Sequence, residues 1–180
     1  MVGGAMSTVP GRDPDERPPG VRITHPNRDK AVVQATRATV VLLLLASAAL
    51  VLIVTVGGWS VLESAKPVEI AYILIYLTLA FFALRWNRGV LPVAAVLAVL
   101  LLIFALVAGP GWFARDKHGF AQPALGAGLL GVLTLLIIPV QMLLVAFAMR
   151  GLQQGWNVEL ERRDESRDTQ AFGSAPPQPA

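Results

Sequence analysis

Five uncharged polar side chains, Ser47, Tyr72, Tyr76, Thr134 and Gln141, stand in stretches that are otherwise mostly apolar. Removed from water, each needs a hydrogen-bond partner, because an unpaired polar group in an apolar surrounding costs about 2 kcal/mol or more. Tyr72 and Tyr76 are four residues apart and share one face of a helix. Gln141 follows Pro139 by two residues. Proline has no amide hydrogen, so Pro139 leaves the Leu135 carbonyl without its usual donor and predicts a kink. Gln141 facing other helices would satisfy that carbonyl or bond a tyrosine across an interface, each such bond contributing about 1 kcal/mol. The cluster reads either as a fastening between helices or as a small polar cavity or gate, and fastening is the ordinary use of such residues.

The remaining chemistry is restricted by what the sequence lacks. Cysteine is absent, which removes thiolate and disulfide chemistry, and the two histidines, His25 and His118, lie in separate polar stretches. No His, Asp, Glu or Cys cluster has metal-ligand spacing, and there is no glycine-rich phosphate loop with a lysine. The expectation is a chain that is not an enzyme, carries no cofactor or metal and does not bind nucleic acid. Glu69 is the only ionisable residue within a predicted span. It sits at a helix N-terminus, where the helix dipole favours an acid. An outer-loop cluster, Arg115, Asp116, Lys117 and His118 between Phe113 and Phe120, reads as a solvated loop or as a recognition patch for a headgroup or partner.

The elements that position these residues follow from hydropathy. Of the 180 residues, 54% are hydrophobic and 15% charged, with a mean hydropathy of +0.59; soluble domains are nearer about 45–50% apolar and 25% charged. About 20 apolar residues in helix cross a bilayer core of roughly 30 Å. Four segments satisfy this, at about 38–56, 68–84, 92–108 and 124–149. The predicted fold is all-α: a polytopic membrane protein with four transmembrane helices in an up-down bundle over residues 28–150. Asn27 is the predicted cap of a helix that runs through Asp29 into the first span. Residues 1–27 mix proline, glycine and both signs of charge and are expected to be disordered; 151–180 should continue the last helix briefly and then lose order.

Orientation follows from the basic residues. Arg12, Arg17, Arg22, Arg28, Lys30, Arg37, Arg85, Arg88, Arg150, Arg162, Arg163 and Arg167 fall on one side, against Lys66, Arg115 and Lys117 on the other. Twelve against three places both termini in the cytoplasm by the positive-inside tendency. Trp59 and Trp112 then sit at outer span ends and Trp86 and Trp156 at inner ones, where indole rings favour the headgroup level. Arg37, Arg85, Arg88 and Arg150 would form an inner collar attractive to anionic lipid. Its usual role is to fix topology.

Small residues at a spacing of four, Ala94 with Ala98, Ala124 with Gly128 and Ala127 with Gly131, suggest close packing of the third and fourth spans or a seam between copies. The hairpins also resemble each other. Gly58-Trp59 and Gly111-Trp112 are offset by 53 residues, and the same offset carries the first span onto the third. Duplication and convergence both explain this pattern.

Arg85-Trp86-Asn87-Arg88-Gly89, the Gly-Trp outer loops and the exit from Met149-Arg150 to Trp156-Asn157-Val158-Glu159 resemble a group of small four-span membrane proteins of high-GC Gram-positive bacteria, over roughly residues 21 to 160. The resemblance implies location and fold, with no reaction attached. The expected function is that of a non-catalytic accessory or scaffold subunit among membrane lipids, paired with another membrane protein or with itself. The alternative is a small oligomeric transporter or channel lined by Gln141 and the tyrosines.

Overall fold

The computed structural model describes residues 21–24, 30–115, 117, 119, 121–156 and 160–163. Four helices follow one another: α1 (Ala31–Gly57), α2 (Lys66–Leu84), α3 (Val90–Arg115) and α4 (Ala127–Gln153). Each is long and apolar enough to cross a membrane. They form an up-down transmembrane bundle within the unit His25–Val158.

The packing pattern is inside-out relative to a soluble bundle. Leu42, Leu74, Val96, Val107, Val132 and Met142 are all more than half exposed, while the interior holds alanines, serine and threonine. In lipid the outward apolar residues need no covering, and helix association rests on close packing and interhelical hydrogen bonds. The α3–α4 seam shows the first device. Ala94 and Ala98 are fully enclosed, and a Cβ on Gly109 would lie 2.8 Å from Leu135 of α4. Reciprocally, a Cβ on Gly131 of α4 would lie 2.8 Å from the Phe113 ring of α3. Ala127 and Gly131 thus serve the seam as the sequence suggested, whereas Ala124 lies exposed ahead of the helix.

Helix α1 packs on both α2 and α4, and α3 packs on α4, while α2 and α3 hardly meet. A strict twofold between hairpins would match the α1–α4 seam with an equal α3–α2 seam. The bundle instead splays open there.

Helix boundaries shift from the predicted ones in instructive ways. α1 begins at Ala31 with Lys30 in the cap position and no side-chain cap; Asn27 and Asp29 lie outside the described residues. α3 continues through Pro110 to Arg115, and α4 runs unbroken through Pro139. α4 stops at Gln153 because Gly155 takes the left-handed conformation (φ 56°), where the chain turns back.

The second unit, Met1–Thr24 with Glu159–Ala180, contains a two-stranded ribbon. β1 (Val21–Thr24) pairs antiparallel with β2 (Leu160–Arg163), with Val21 opposite Arg163 and Thr24 opposite Leu160. The last helix continues briefly past residue 151, to Gln153, as expected, whereas Val21–Thr24 and Leu160–Arg163 form strands within segments read as disordered. β-branched Val21, Ile23 and Thr24 suit a strand, and their partner strand lies at the far end of the sequence, where no local pattern reveals it. The rest of the expected disorder, in 1–20, 25–27 and 164–180, lies outside the described residues.

Candidate functional site

The centre of the bundle is closed by a chain of hydrogen bonds across three helices. The Tyr76 hydroxyl on α2 donates to Gln141 Oε1 on α4 at 3.0 Å. Gln141 Nε2 donates to Ser47 Oγ on α1 at 2.8 Å, and Ser47 donates to its own helix at the Leu43 carbonyl, 2.7 Å away. Tyr76, Gln141 and Ser47 are each fully buried. Gln141 therefore takes the cross-helix alternative and bonds a tyrosine, leaving the carbonyl ahead of Pro139 to other means.

The other two members of the predicted cluster stand apart from this chain. Tyr72 joins it through its ring, edge-on to Tyr76 at 5.7 Å and edge-on to Phe104 of α3 at 6.1 Å. Thr134 donates within α4 to the Leu130 carbonyl at 2.8 Å, the usual way a helical threonine satisfies itself.

The predicted arginine collar divides in two. Arg37 Nη1 donates to the Leu84 carbonyl at 3.0 Å, with its guanidinium 4.0 Å from the Trp86 ring centroid. Arg88 Nη2 donates to the Leu152 carbonyl. These two arginines close the C-terminal ends of α2 and α4, where carbonyls lack helical donors. Arg85 lies 5.6 Å from the Phe81 ring, and Arg85 and Arg150 face outward.

The same end holds an aromatic plug whose burial the sequence reading did not show. Trp156 is fully buried, edge-on to Trp86 at 5.9 Å, and its Nε1 donates to Gln154 Oε1 at 3.3 Å. Gln154 Nε2 in turn donates to Thr36 Oγ1 of α1 at 2.9 Å. Trp156 therefore lies just past the end of α4, as its place in the sequence suggested, but packed into the bundle end. The signal was Gly155: a helix stop directly before a tryptophan sends the ring back against the last turn, and a Cβ on Gly151 would come within 3.0 Å of it. Trp112 is likewise buried, between Val54, Ala127 and Leu130, while Trp59 stays half exposed under the Lys66 ammonium.

At the opposite end, the splay of α2 from α3 opens a lateral cleft of about 650 Å³. Its floor comes from Val51 and Val54 of α1 and Thr134 and Ile137 of α4. Its walls run along α3 from Leu101 to Arg115 and along α2 from Val68 to Tyr72. The lining is apolar except near the mouth, where Glu69 and Arg115 stand. Glu69 Oε2 is enclosed without a hydrogen-bond partner among the described residues. Sequence reasoning placed Glu69 at the N-terminus of the second span, where the structure has it, but saw no cleft, because a splay between helices leaves no mark on either helix.

Among the described residues no group of His, Asp, Glu or Cys is placed to hold a metal. Asp116, His118 and Phe120 of the predicted outer-loop cluster lie outside the described residues. No protein-family model, curated protein or solved structure matches the chain.

Proposed function

We propose that the protein is a non-catalytic scaffold or accessory subunit of the bacterial cytoplasmic membrane, with both termini in the cytoplasm. The observation that carries this reading is the Tyr76–Gln141–Ser47–Leu43 chain. A solute path needs polar groups that exchange partners with the solute. Here the mid-bundle donors and acceptors are committed to one another. Among the described residues, the enclosed side-chain atoms without a partner are Arg37 Nε and Glu69 Oε2, at opposite ends of the bundle. The apolar flank left where α2 and α3 diverge is available to another membrane component. The basic residues at the end that carries Arg37, Arg85, Arg88 and Arg150 support the cytoplasmic assignment of that end.

Two measurements test the reading together. Capture of the full chain in a gentle detergent should recover a stoichiometric membrane partner, or a second copy, while reconstituted vesicles show no solute flux. Flux that Gln141→Leu abolishes in a folded protein would instead make it a transporter or channel. A reporter enzyme fused to the C-terminus should be active in its cytoplasmic form; periplasmic activity overturns the orientation.

A further inference from the structure

We infer that the cleft between α2 and α3 is a binding site for one phospholipid whose headgroup carries a primary ammonium, its acyl chain lying along α3 and its head held between Glu69 and Arg115. The inference goes beyond the scaffold reading and stands or falls separately from it. Only the identity of the leaflet, the outer one, rests on the orientation proposed above.

Three observations carry it. The first is size and shape. The cleft, about 650 Å³, falls within the roughly 300–1,000 Å³ of small-molecule sites. Its α3 wall extends from Leu101 to Arg115, about 21 Å at the helical rise of 1.5 Å per residue. One leaflet of hydrocarbon is about 15 Å deep, so an acyl chain entering beside Arg115 can follow α3 as far as Phe104, about 16 Å at that rise. Phe104 and Val107 of this wall are 49% and 75% exposed, so the site opens sideways toward lipid.

The second is the closure of the site from below. Tyr72 of α2 meets Phe104 of α3 edge-on, bridging the two diverging helices, and the buried alanine Ala105 keeps the α3 wall thin beside it. Gly111 widens the mouth: a Cβ there would touch nothing within 4 Å. The space is therefore built into the wall.

The third is charge. Glu69 and Arg115 line the same mouth, where α2 begins and α3 ends. Among the described residues, the side chain at the Glu69 carboxyl is the neutral Thr55, and Lys66, one turn earlier, lies over the Trp59 ring at 4.7 Å. A zwitterionic head supplies both complements, a phosphate for the guanidinium and an ammonium for the half-exposed Glu69 carboxylate. An anionic glycerol head supplies the phosphate and neutral hydroxyl donors, but no positive charge for the carboxylate. A trimethylated head has the charge but no N–H to donate.

The test is native mass spectrometry of the full chain, delipidated in detergent and titrated separately with phosphatidylethanolamine, phosphatidylcholine and phosphatidylglycerol. The expected result is one retained phosphatidylethanolamine per chain, held about tenfold more tightly than the other two, as one charge-assisted hydrogen bond implies. Glu69→Gln should erase that preference. Gly111→Leu, which adds bulk where there is open space, should reduce retention of all three. Equal retention of the three lipids that ignores both substitutions overturns the inference. So does the absence of any retained lipid, or a copurified protein helix that cross-links into the cleft at Val107. Glu69→Gln lies at a half-exposed rim, so its reading does not depend on how Gly111→Leu folds.

Discussion

The Tyr76 hydroxyl and Gln141 Oε1, 65 residues apart in sequence, meet at 3.0 Å in the middle of the bundle and tie α2 to α4. The bond is not redundant. α2 has almost no seam with α3, so its position depends on α1 and on this single polar contact to α4. Tyr76→Phe and Gln141→Leu should each destabilise the fold. The double variant should then reveal a coupling of about 0.6 kcal/mol, the average for membrane hydrogen bonds, and no more than about 1.7 kcal/mol. Reversible unfolding in bicelles measures it, and strictly additive effects would remove the bond from the account.

Gly131→Ala places a methyl group 2.8 Å from the Phe113 ring. We expect a loss of about 1–3 kcal/mol from overpacking. Adding Phe113→Ala should recover most of it by clearing the contact. A single variant as stable as the parent would mean that the α3–α4 seam is looser than described.

Trp86 is the one described residue other than glycine with a positive φ, at 62°. Helix α2 ends there in a Schellman pattern: Trp86 N–H bonds the Ala83 carbonyl and Asn87 N–H the Phe82 carbonyl, both at 3.1 Å. A left-handed residue with a Cβ costs about 1–2 kcal/mol, offset here by contact with Arg37 and Trp156. Trp86→Ala keeps the backbone cost and loses the contacts, whereas Trp86→Gly loses both. The glycine variant should melt higher than the alanine variant by the equivalent of about 1 kcal/mol. Identical melting temperatures would count against the strain.

The arginines should separate by role. Arg37→Gln removes a charged donor from the Leu84 carbonyl and should cost about 1.5–3 kcal/mol of stability. Arg150→Gln, on an exposed position, should leave unfolding within about 0.5 kcal/mol of the parent. Comparable losses from both would dissolve the distinction.

The four helices were legible because lipid demands long uninterrupted apolar runs, and Gln141, Tyr76 and Ser47 because polar groups are conspicuous against them. The limits of that reading are equally specific. Hydropathy placed the third span at about 92–108, yet α3 continues through Gly109 and Pro110 to Arg115. Proline removes only one donor, and the Phe113 contact to Gly131 holds the final turns in place. The place of Trp156 after the fourth span was legible, whereas its burial depended on a turn at Gly155 that brings it against Trp86. The cleft was invisible because the residues on its walls have the same composition as any lipid-facing surface. The β1–β2 ribbon was missed because strand pairing between distant segments has no local period.

The unequal lengths of the helices have a mechanical consequence for the bilayer. α2 spans 19 residues, about 28 Å of rise, whereas α1 and α4 each have 27 residues, about 40 Å. A membrane matched to the short flank leaves the tall flank protruding or tilted, and one matched to the tall flank must thin beside α2. Where the lipid-facing stretches follow these lengths, the bilayer would be thinner beside α2 than beside α4, and a neighbour packed on the α2 flank would relieve that deformation.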